Sequence, residues 1–272
     1  MRIACAQILS GTDPAANLAI VEDYTRRAAD AGARLVVFPE ATMCRFGVPL
    51  AAIAEPIDGR WADAVRAIAS DAGITVLVGM FTPAADGRVT NTMLITGGVE
   101  ARYDKIHLYD AFGFAESTTV APGRTPVVVI VDGVGVGVTL CYDIRFPGLY
   151  TELADRGASL ITVSASWGAG PGKLDQWSLL ARARALDTTC FVAAAGQAYP
   201  GPELAESSTA PTGVGGSLVA SPLGEVIESA GADPQLMVCD IDADTIPAIR
   251  DTLPVLRNRS EFAQRDRAES PG

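Results

Sequence analysis

The sequence predicts an α/β protein in which helices cover the outside of β-sheets. Short apolar segments typical of buried strands alternate with longer segments that carry helix start and stop signals. Some strand-like segments also follow each other across a short turn, which predicts β-hairpins beside the parallel strands. Hydrophobic residues make up 49% of the 272 residues and the mean hydropathy is +0.24, so the chain is able to form a large core.

The first elements show this alternation. Residues 3–8 form the first predicted strand, and Thr12-Asp13-Pro14 then provides a helix cap followed by proline at the first helical position. The helix that begins there is expected to end at Gly32. The second strand, 35–38, follows at once and leads into Pro39-Glu40.

The same signals predict the rest of the elements. They are, in chain order, a helix at 59–72, strands at 75–81 and 89–96 joined as a hairpin, a loop at 111–123, a β-rich run at 127–140, a helix at 147–156, a strand at 160–164, a helix at 174–188, a strand at 190–195, a polar loop at 200–211, and strands at 216–220, 225–228 and 236–241. No linker-like segment divides the chain, so we expect a single domain over 1–272.

Charge and composition exclude several classes of function. The net charge of −11 argues against nucleic acid as a partner, because binding the phosphate backbone requires an excess of Lys and Arg. No apolar segment has the length of a signal peptide or a membrane span. The sequence therefore predicts a cytoplasmic protein with no membrane partner.

The cysteine and histidine content predicts neither disulfides nor a metal. The five cysteines are odd in number, scattered and never arranged as C-x-x-C: Cys5, Cys44, Cys141, Cys190 and Cys239. His107 is the single histidine, which makes a histidine-based metal site less favourable still. We expect no metal and no cofactor.

Cys141 is the first candidate for covalent chemistry. The β-rich run 127–140 ends at this residue, and the next helix cannot begin before Pro147, so Cys141 is expected in a turn at the carboxyl end of a strand. Ligands of open α/β sheets bind at such ends. A turn that leads into a helix N-terminus also helps to lower the pKa of a thiol. The alternative is a buried, inert cysteine, which is common for this residue type.

Glu40 and Lys105 lie at predicted strand ends or in the adjoining loops, as Cys141 does. A thiol needs a base to take its proton, and the oxyanion formed when it attacks a carbonyl needs a cation or N–H groups. Glutamate and lysine supply these roles without histidine, and a catalytic His107 is the less favoured reading. Taken singly, Glu40 and Lys105 also fit solvated surface charges. Asp143 and Arg145 are expected to form an ion pair that braces the cysteine turn.

Three motifs in this order resemble the signatures of the nitrilase superfamily of carbon–nitrogen hydrolases. They are Phe38-Pro39-Glu40, Asp104-Lys105-Ile106-His107-Leu108 and Cys141-Tyr142-Asp143-Ile144-Arg145-Phe146-Pro147. The resemblance extends over nearly the whole chain. It implies an α-β-β-α sandwich that pairs through its outer helices, so a homodimer or a higher homo-oligomer is expected, with helices 147–156 and 174–188 at the interface.

Within the superfamily, Lys105-Ile106-His107-Leu108-Tyr109-Asp110 and Glu116-Ser117 are similar to the Nit branch, which contains ω-amidases and deaminated-glutathione amidases. The resemblance implies that Cys141 is the nucleophile, Glu40 the general base, Lys105 the oxyanion-stabilising cation and Glu116 a second active-site carboxylate. The chain departs from the Nit pattern at 170–177 and 215–217, which leaves the substrate open.

The expected function is that of a thiol amidohydrolase, which cleaves a small carboxylate-bearing linear amide to acid and ammonia through a cysteine thioester. The N–H of Tyr142 is expected to help hold the oxyanion, and Trp167 fits either a pocket wall or core packing. One alternative is a nitrile or N-carbamoyl hydrolase that uses the same residues. A lesser alternative is a non-catalytic interaction protein that retains the fold.

Overall fold

Two β-sheets pack face to face, and helices cover both of their outer surfaces, in the computed structural model, which describes residues 1–260. One sheet has seven strands and the other has six. This is the α-β-β-α arrangement implied by the resemblance, so the predicted fold class is confirmed. In residues 1–260 no helix combines the length and the hydropathy needed to cross a bilayer.

The elements alternate along the chain much as the sequence patterns predict. In chain order the strands are β1 (Arg2–Gln7), β2 (Leu35–Val37), β3 (Thr75–Pro83), β4 (Val89–Thr96), β5 (Ala101–Asp104), β6 (Asp110–Ala111), β7 (Phe114–Ala115), β8 (Val120–Ala121), β9 (Val127–Val131), β10 (Val134–Leu140), β11 (Leu160–Ala165), β12 (Phe191–Gly196), β13 (Leu218–Ala220), β14 (Val226–Ser229) and β15 (Gln235–Asp240). The helices are α1 (Pro14–Asp30), α2 (Arg60–Ala72), α3 (Pro147–Asp155), α4 (Lys173–Thr188), α5 (Pro202–Ser207) and α6 (Ile246–Thr252).

The two sheets are built on one plan. The strand order is β15-β1-β2-β3-β4-β5 in the first sheet, where β8 also pairs with β4, and β14-β13-β12-β11-β10-β9 in the second. Three central strands are parallel in each sheet, β1-β2-β3 and β10-β11-β12, and antiparallel strands flank them. The carboxyl ends of parallel strands meet at one edge of a sheet, which is where ligands bind in α/β proteins.

Three apolar layers hold the sandwich together. The inner faces of the two sheets form the central layer, in which Ile3 and Leu77 of one sheet and Val138 and Leu160 of the other are fully buried. Helices α1 and α2 cover the outer face of the first sheet, and α3 and α4 cover that of the second. Strands buried on both faces explain why the strand segments are almost continuously apolar.

Local signals set the ends of α1. The Asp13 carboxylate accepts a hydrogen bond from Ala15 N at 2.9 Å, and Pro14 occupies the first turn, where its missing N–H costs nothing. Gly32, two residues beyond the helix, has a φ of +79°, a conformation that glycine adopts most easily. The predicted bounds of this helix are therefore confirmed to within two residues.

Two differences from the predicted elements have local causes. Segment 200–211 was expected to be a loop, which is wrong, because it contains α5; Pro202 at the start and Glu203 in the first turn favour a helix there. The segment 111–123, also expected to be a loop, contains the short strands β7 and β8. Helix α6 is not predicted, because seven residues show too little periodicity.

One outer surface of the second sheet leaves large apolar side chains exposed. We call it the α4 face, and its residues, each between 41% and 65% exposed, are Leu174, Leu179, Leu186, Leu223 and Val226. Strand β14 is the edge strand of its sheet, and all four of its residues are exposed. Exposed large apolar side chains beside an open sheet edge are typical of a protein interface. We propose that a second copy of the chain covers the α4 face.

We expect the protein to have at least twice its chain mass of 28.2 kDa in solution, and Leu179→Lys to yield the monomer. The substitution places a charge in the proposed interface, whereas in a monomer Leu179 is 65% exposed and its replacement costs little. Light scattering at micromolar concentration measures the mass. Ile130→Lys is the matched control, because Ile130 is 62% exposed on β9 at the opposite edge of the same sheet. A wild-type mass of 28.2 kDa would contradict the proposal.

Candidate active site

The four candidate catalytic residues line one pocket. Glu40 follows β2, Lys105 follows β5, and Cys141 follows β10 directly. Glu116 begins a short 3-10 helix after β7. The structure therefore brings together residues from both sheets at the edge where strands β2 and β10 end, as the sequence analysis expected for Glu40, Lys105 and Cys141.

Lys105 lies between two buried carboxylates. Its Nζ donates to Glu40 Oε1 and to Glu116 Oε2, each at 2.8 Å, and all three side chains are at most 2% exposed. Burial opposes the charge on the lysine, but the carboxylates of Glu116 and Glu40 outweigh it and raise the pKa of Lys105 well above its ordinary value. The two carboxylates therefore favour the charged form of Lys105, and the alternative of a solvated surface lysine is wrong, because the side chain is 2% exposed.

Backbone N–H groups fix the carboxylates in place. Ser166 N donates to Glu40 Oε2 at 2.9 Å, and Tyr109 N donates to Glu116 Oε2 at 2.7 Å. Burial raises the pKa of Glu40, the Lys105 charge lowers it, and the Glu116 charge raises it, with a net rise. A carboxylate with a raised pKa is a better proton acceptor, as a general base at neutral pH requires.

Asn91 is a site residue that the sequence analysis missed. It is fully buried on β4, and its Nδ2 donates to Glu40 Oε1 at 2.8 Å and to Glu116 Oε1 at 3.0 Å. Asparagine is uncommon in the middle of a buried strand. This anomaly in an otherwise apolar and threonine-rich segment is the signal by which the residue could have been found.

Close backbone contacts position Glu40. A Cβ on Gly79 would lie 2.8 Å from both Pro39 O and Ala41 N, so only glycine lets β3 approach the loop this closely. The Gln197 amide donates to Glu40 O at 3.0 Å from the second sheet. Contacts from both sheets thus determine the path of the loop that carries the carboxylate.

Cys141 occupies a strained turn. Its φ of +43° is unusual for a residue other than glycine, and it lies where β10 ends and a 3-10 helix, Cys141–Arg145, begins. The Asp143 carboxylate accepts from Leu140 N at 2.9 Å and so closes the turn. The side chain is 6% exposed, lines the pocket, and has its Sγ 3.9 Å from Ser166 O.

The expectation that the turn lowers the pKa of the Cys141 thiol is wrong. Burial raises this pKa well above its ordinary value, and the Glu40 carboxylate raises it further, while the Lys105 charge acts in the opposite direction. The thiol is therefore protonated at rest. It becomes a nucleophile only when a base removes its proton, and Glu40, whose charge acts on the thiol, lines the same pocket.

Asp143 and Arg145 do not form the predicted ion pair. Asp143 is fully buried and accepts from Tyr103 Oη at 2.6 Å, while its other oxygen lies 2.8 Å from His107 Nδ1. Arg145 instead lines the pocket and donates to Gln176 Oε1 at 2.9 Å. The prediction failed because Asp143 points into the core and Arg145 points out of it.

His107 lies beside the site rather than in it. Its ring stacks on Phe146 with the centroids 3.7 Å apart, and its bond to Asp143 links the lysine segment to the cysteine turn. The pocket lining does not include His107. This placement agrees with the prediction that His107 is not the catalytic base.

Aromatic and cationic side chains form the rest of the pocket wall. Tyr142 and Trp167 both line it, together with Arg145 and Lys173. Trp167 is 5% exposed, donates from Nε1 to Lys173 O at 3.0 Å, and packs against Trp177, so it belongs both to the pocket wall and to the core. The Arg145 guanidinium lies 5.1 Å from the Trp167 ring centroid.

Comparison with known proteins identifies the family. The family model described as carbon–nitrogen hydrolase matches residues 2–251. The chain belongs to the carbon–nitrogen hydrolase family. It is 68% identical to a Mycobacterium tuberculosis protein described as a hydrolase, with 100% of each chain covered. It is also 33% identical to the deaminated glutathione amidase of Escherichia coli O157:H7, over 89% of this chain and 91% of the relative.

A solved structure of a family member has the same fold. It is a variant of the amidase from Nesterenkonia sp. AN1 with acrylamide added at the active site cysteine, and it is 29% identical to this chain, with a TM-score of 0.75 and with 93% of this chain and 98% of that one covered. The resemblance to the Nit branch of the nitrilase superfamily is confirmed. The chain is thus a hydrolase of carbon–nitrogen bonds other than peptide bonds.

Replacement of Glu116 by glutamine tests whether this second carboxylate contributes to turnover. We expect Glu116→Gln to lower kcat by roughly 10²-fold, because Lys105 loses one of the two charges that orient it. Circular dichroism is the check that the fold is intact. Near-wild-type turnover of the folded variant would show that Glu116 has no part in the reaction.

Proposed function

We propose that the protein hydrolyses a small linear amide that carries a carboxylate, releasing ammonia through a thioester on Cys141. The observation that carries the proposal is the convergence of Cys141, Glu40 and the Lys105–Glu116 pair on one pocket. A buried thiol, a base with a raised pKa and a fixed cation are the groups that acyl transfer to a cysteine requires.

The first step adds the sulfur of Cys141 to the amide carbonyl. Glu40 takes the proton of Cys141 as the sulfur attacks the amide carbonyl, since the raised pKa of the thiol leaves no standing thiolate. The carbonyl oxygen becomes an oxyanion, which Lys105 Nζ and the N–H of Tyr142 stabilise. That N–H lies in the first turn of a 3-10 helix, where N–H groups have no partner within the helix.

The next two steps release ammonia and then regenerate the enzyme. Protonated Glu40 returns its proton to the amide nitrogen, so that ammonia leaves and the thioester remains. Glu40 is then a carboxylate again and takes a proton from the water that attacks the thioester carbonyl. The C–S bond then breaks, the acid leaves, and Glu40 returns this proton to the sulfur of Cys141. Lys105 cannot replace Glu40 in this role, because the raised pKa of Lys105 keeps it protonated.

Arg145 and Lys173 support a substrate with a carboxylate. Both line the pocket, and their contacts in residues 1–260 are with neutral groups: Arg145 with Gln176 Oε1, and Lys173 with the Phe112 ring, whose centroid lies 3.7 Å from Nζ. Burial lowers the pKa of Lys173 and the Arg145 charge lowers it further, so the two cations are close to each other. A carboxylate bound between them would relieve this repulsion.

The family members support the same reaction class. Relatives include the Escherichia coli deaminated glutathione amidase and, at 30% identity over 95% of this chain, an omega-amidase of Xenopus tropicalis. In a glutamate-to-glutamine variant of the Nesterenkonia amidase the active site cysteine has added to acrylamide, which demonstrates a nucleophilic thiol in that variant. We assign the corresponding role to Cys141.

The roles of Cys141 and Glu40 predict the behaviour of a double variant. Cys141→Ala and Glu40→Gln should each nearly abolish turnover, and the double variant should lose little more, because nucleophile and base act in the same step. Ammonia release from an amide that the wild type hydrolyses measures all three. If the fold-loss of turnover in the double variant equals the product of the losses in the two single variants, the two residues do not share a step.

Lys173→Met tests the recognition of the carboxylate. We expect this substitution to raise the KM for succinamate by about 10-fold, as loss of a charged hydrogen bond would, with a smaller effect on kcat. The KM for butanamide, which has no carboxylate, should not change, so this substrate is the control.

A panel that also contains nitriles and N-carbamoyl amino acids tests the alternatives, and a preference of the wild type for either class would overturn the amidase assignment.

A further inference from the structure

We propose that Asn91 is a positioning residue that directs the proton of Cys141 to one oxygen of Glu40, Oε2. The inference rests on the proposed function in that it takes Glu40 as the base for Cys141. It concerns a residue that contacts neither the sulfur nor the pocket, since Asn91 is fully buried and does not line the cavity.

Asn91 contacts three of the four candidate catalytic residues. Its Nδ2 donates to Glu40 Oε1 and to Glu116 Oε1, at 2.8 and 3.0 Å. Its backbone oxygen accepts from Lys105 N at 2.9 Å, which holds the lysine segment beside β4. One residue of β4 thus contacts both carboxylates with its side chain and the lysine segment with its backbone.

The orientation of the Asn91 amide is determined by its neighbours. Both N–H groups of Nδ2 point at carboxylate oxygens, whereas Oδ1 is buried and has no partner in residues 1–260. Turning the amide over would place its oxygen against two carboxylates and leave Nδ2 without acceptors. The side chain can therefore act only as a donor towards Glu40 and Glu116.

This arrangement makes the two oxygens of Glu40 unequal. Oε1 accepts from both Lys105 Nζ and Asn91 Nδ2, which occupies its two lone pairs. Oε2 accepts only from Ser166 N among residues 1–260, so one lone pair is left. In the first step the S–H bond of Cys141 breaks, an O–H bond forms at Oε2, and the electron pair stays on the sulfur that attacks the carbonyl.

The neutrality of the bridge is as important as its geometry. Glu40 and Glu116 carry two negative charges against the one positive charge of Lys105, and asparagine joins the carboxylates without adding to either side. Aspartate at position 91 would add a third negative charge beside a proton that must move. The titratable groups that line the pocket with Glu40 are Lys105, Tyr109, Glu116, Cys141, Tyr142, Arg145 and Lys173, and the charges of Lys105 and Glu116 act most strongly on its pKa.

The test compares Asn91→Asp and Asn91→Ser with the wild type, and its first readout requires no substrate. The rate at which iodoacetamide alkylates Cys141 is measured against pH by peptide mass spectrometry, with partly buried Cys239 as the reference in the same molecule. The added charge of Asn91→Asp raises the pKa values of Glu40 and Cys141, so the alkylation midpoint should rise by about one pH unit or more. Asn91→Ser, which keeps one donor, should show a smaller rise.

The second readout is turnover of the amide that the wild type hydrolyses best. Both variants should lose kcat by roughly 10²-fold, as when one fixed donor is removed from an active site, and the acidic limb of the kcat–pH profile should move upward in Asn91→Asp. Unchanged midpoints in both readouts would overturn the proposal. If the Asn91 variants show the alkylation shift but the wild type hydrolyses no amide, the proposed function is refuted and the positioning role of Asn91 remains.

Thr92→Val is the matched control for a purely structural effect. Thr92 is the fully buried neighbour of Asn91 on β4, and its hydroxyl donates to the Asp104 carboxylate at 2.7 Å rather than to Glu40 or Glu116. This variant should lose thermal stability without moving either pH midpoint. If Asn91→Ser loses Tm as Thr92→Val does and keeps its pH profile, or fails to fold while Thr92→Val folds, the role of Asn91 is structural and the proposal is wrong.

Discussion

The interaction on which the site depends is the buried contact of one lysine with two glutamates. Taking three charges out of water is unfavourable unless each is paired and fully hydrogen-bonded. The contacts of Lys105 with Glu40 and Glu116, both at 2.8 Å, meet this condition only when the ends of several strands converge. Breaking one contact would leave an uncompensated buried charge, which typically costs about 3–5 kcal/mol. The sandwich architecture and the reactive centre therefore depend on each other.

Local conformations at the site are less favourable than elsewhere in the fold. Cys141 and Ala41 have φ values of +43° and +59°, and Asn91 has a buried oxygen with no partner in residues 1–260. Each such feature costs on the order of 1–3 kcal/mol. Cys141 is the proposed nucleophile, and Ala41 adjoins Glu40, the proposed base. The strain and the unpaired oxygen are thus costs that accompany the convergence of the thiol, the carboxylates and the cation on one pocket.

Much of the fold was predictable from the sequence because strands and helices are local patterns. Strand 89–96 and the start of α1 at Pro14 are examples, since alternation, caps and proline act within a few residues. Partner choice across strands is not local. The sequence could not show that Asp143 turns to Tyr103 and His107, or that Asn91 reaches two carboxylates from other segments. The raised pKa of Cys141 was missed for the same reason, because burial outweighs the turn and is a property of the assembled fold.

The charges of the pocket give the proposed reaction a direction. Lys105, Glu40 and Glu116 together carry one net negative charge at the reactive end, while Arg145 and Lys173 carry two positive charges on the wall. An amide with a carboxylate would bind with its anionic end at the wall and its neutral amide at Cys141. Hydrolysis then converts the neutral end into a second carboxylate beside Glu40 and Glu116. The repulsion that follows weakens binding of the product and not of the substrate, so the same buried carboxylates that serve the chemistry also favour release of the acid.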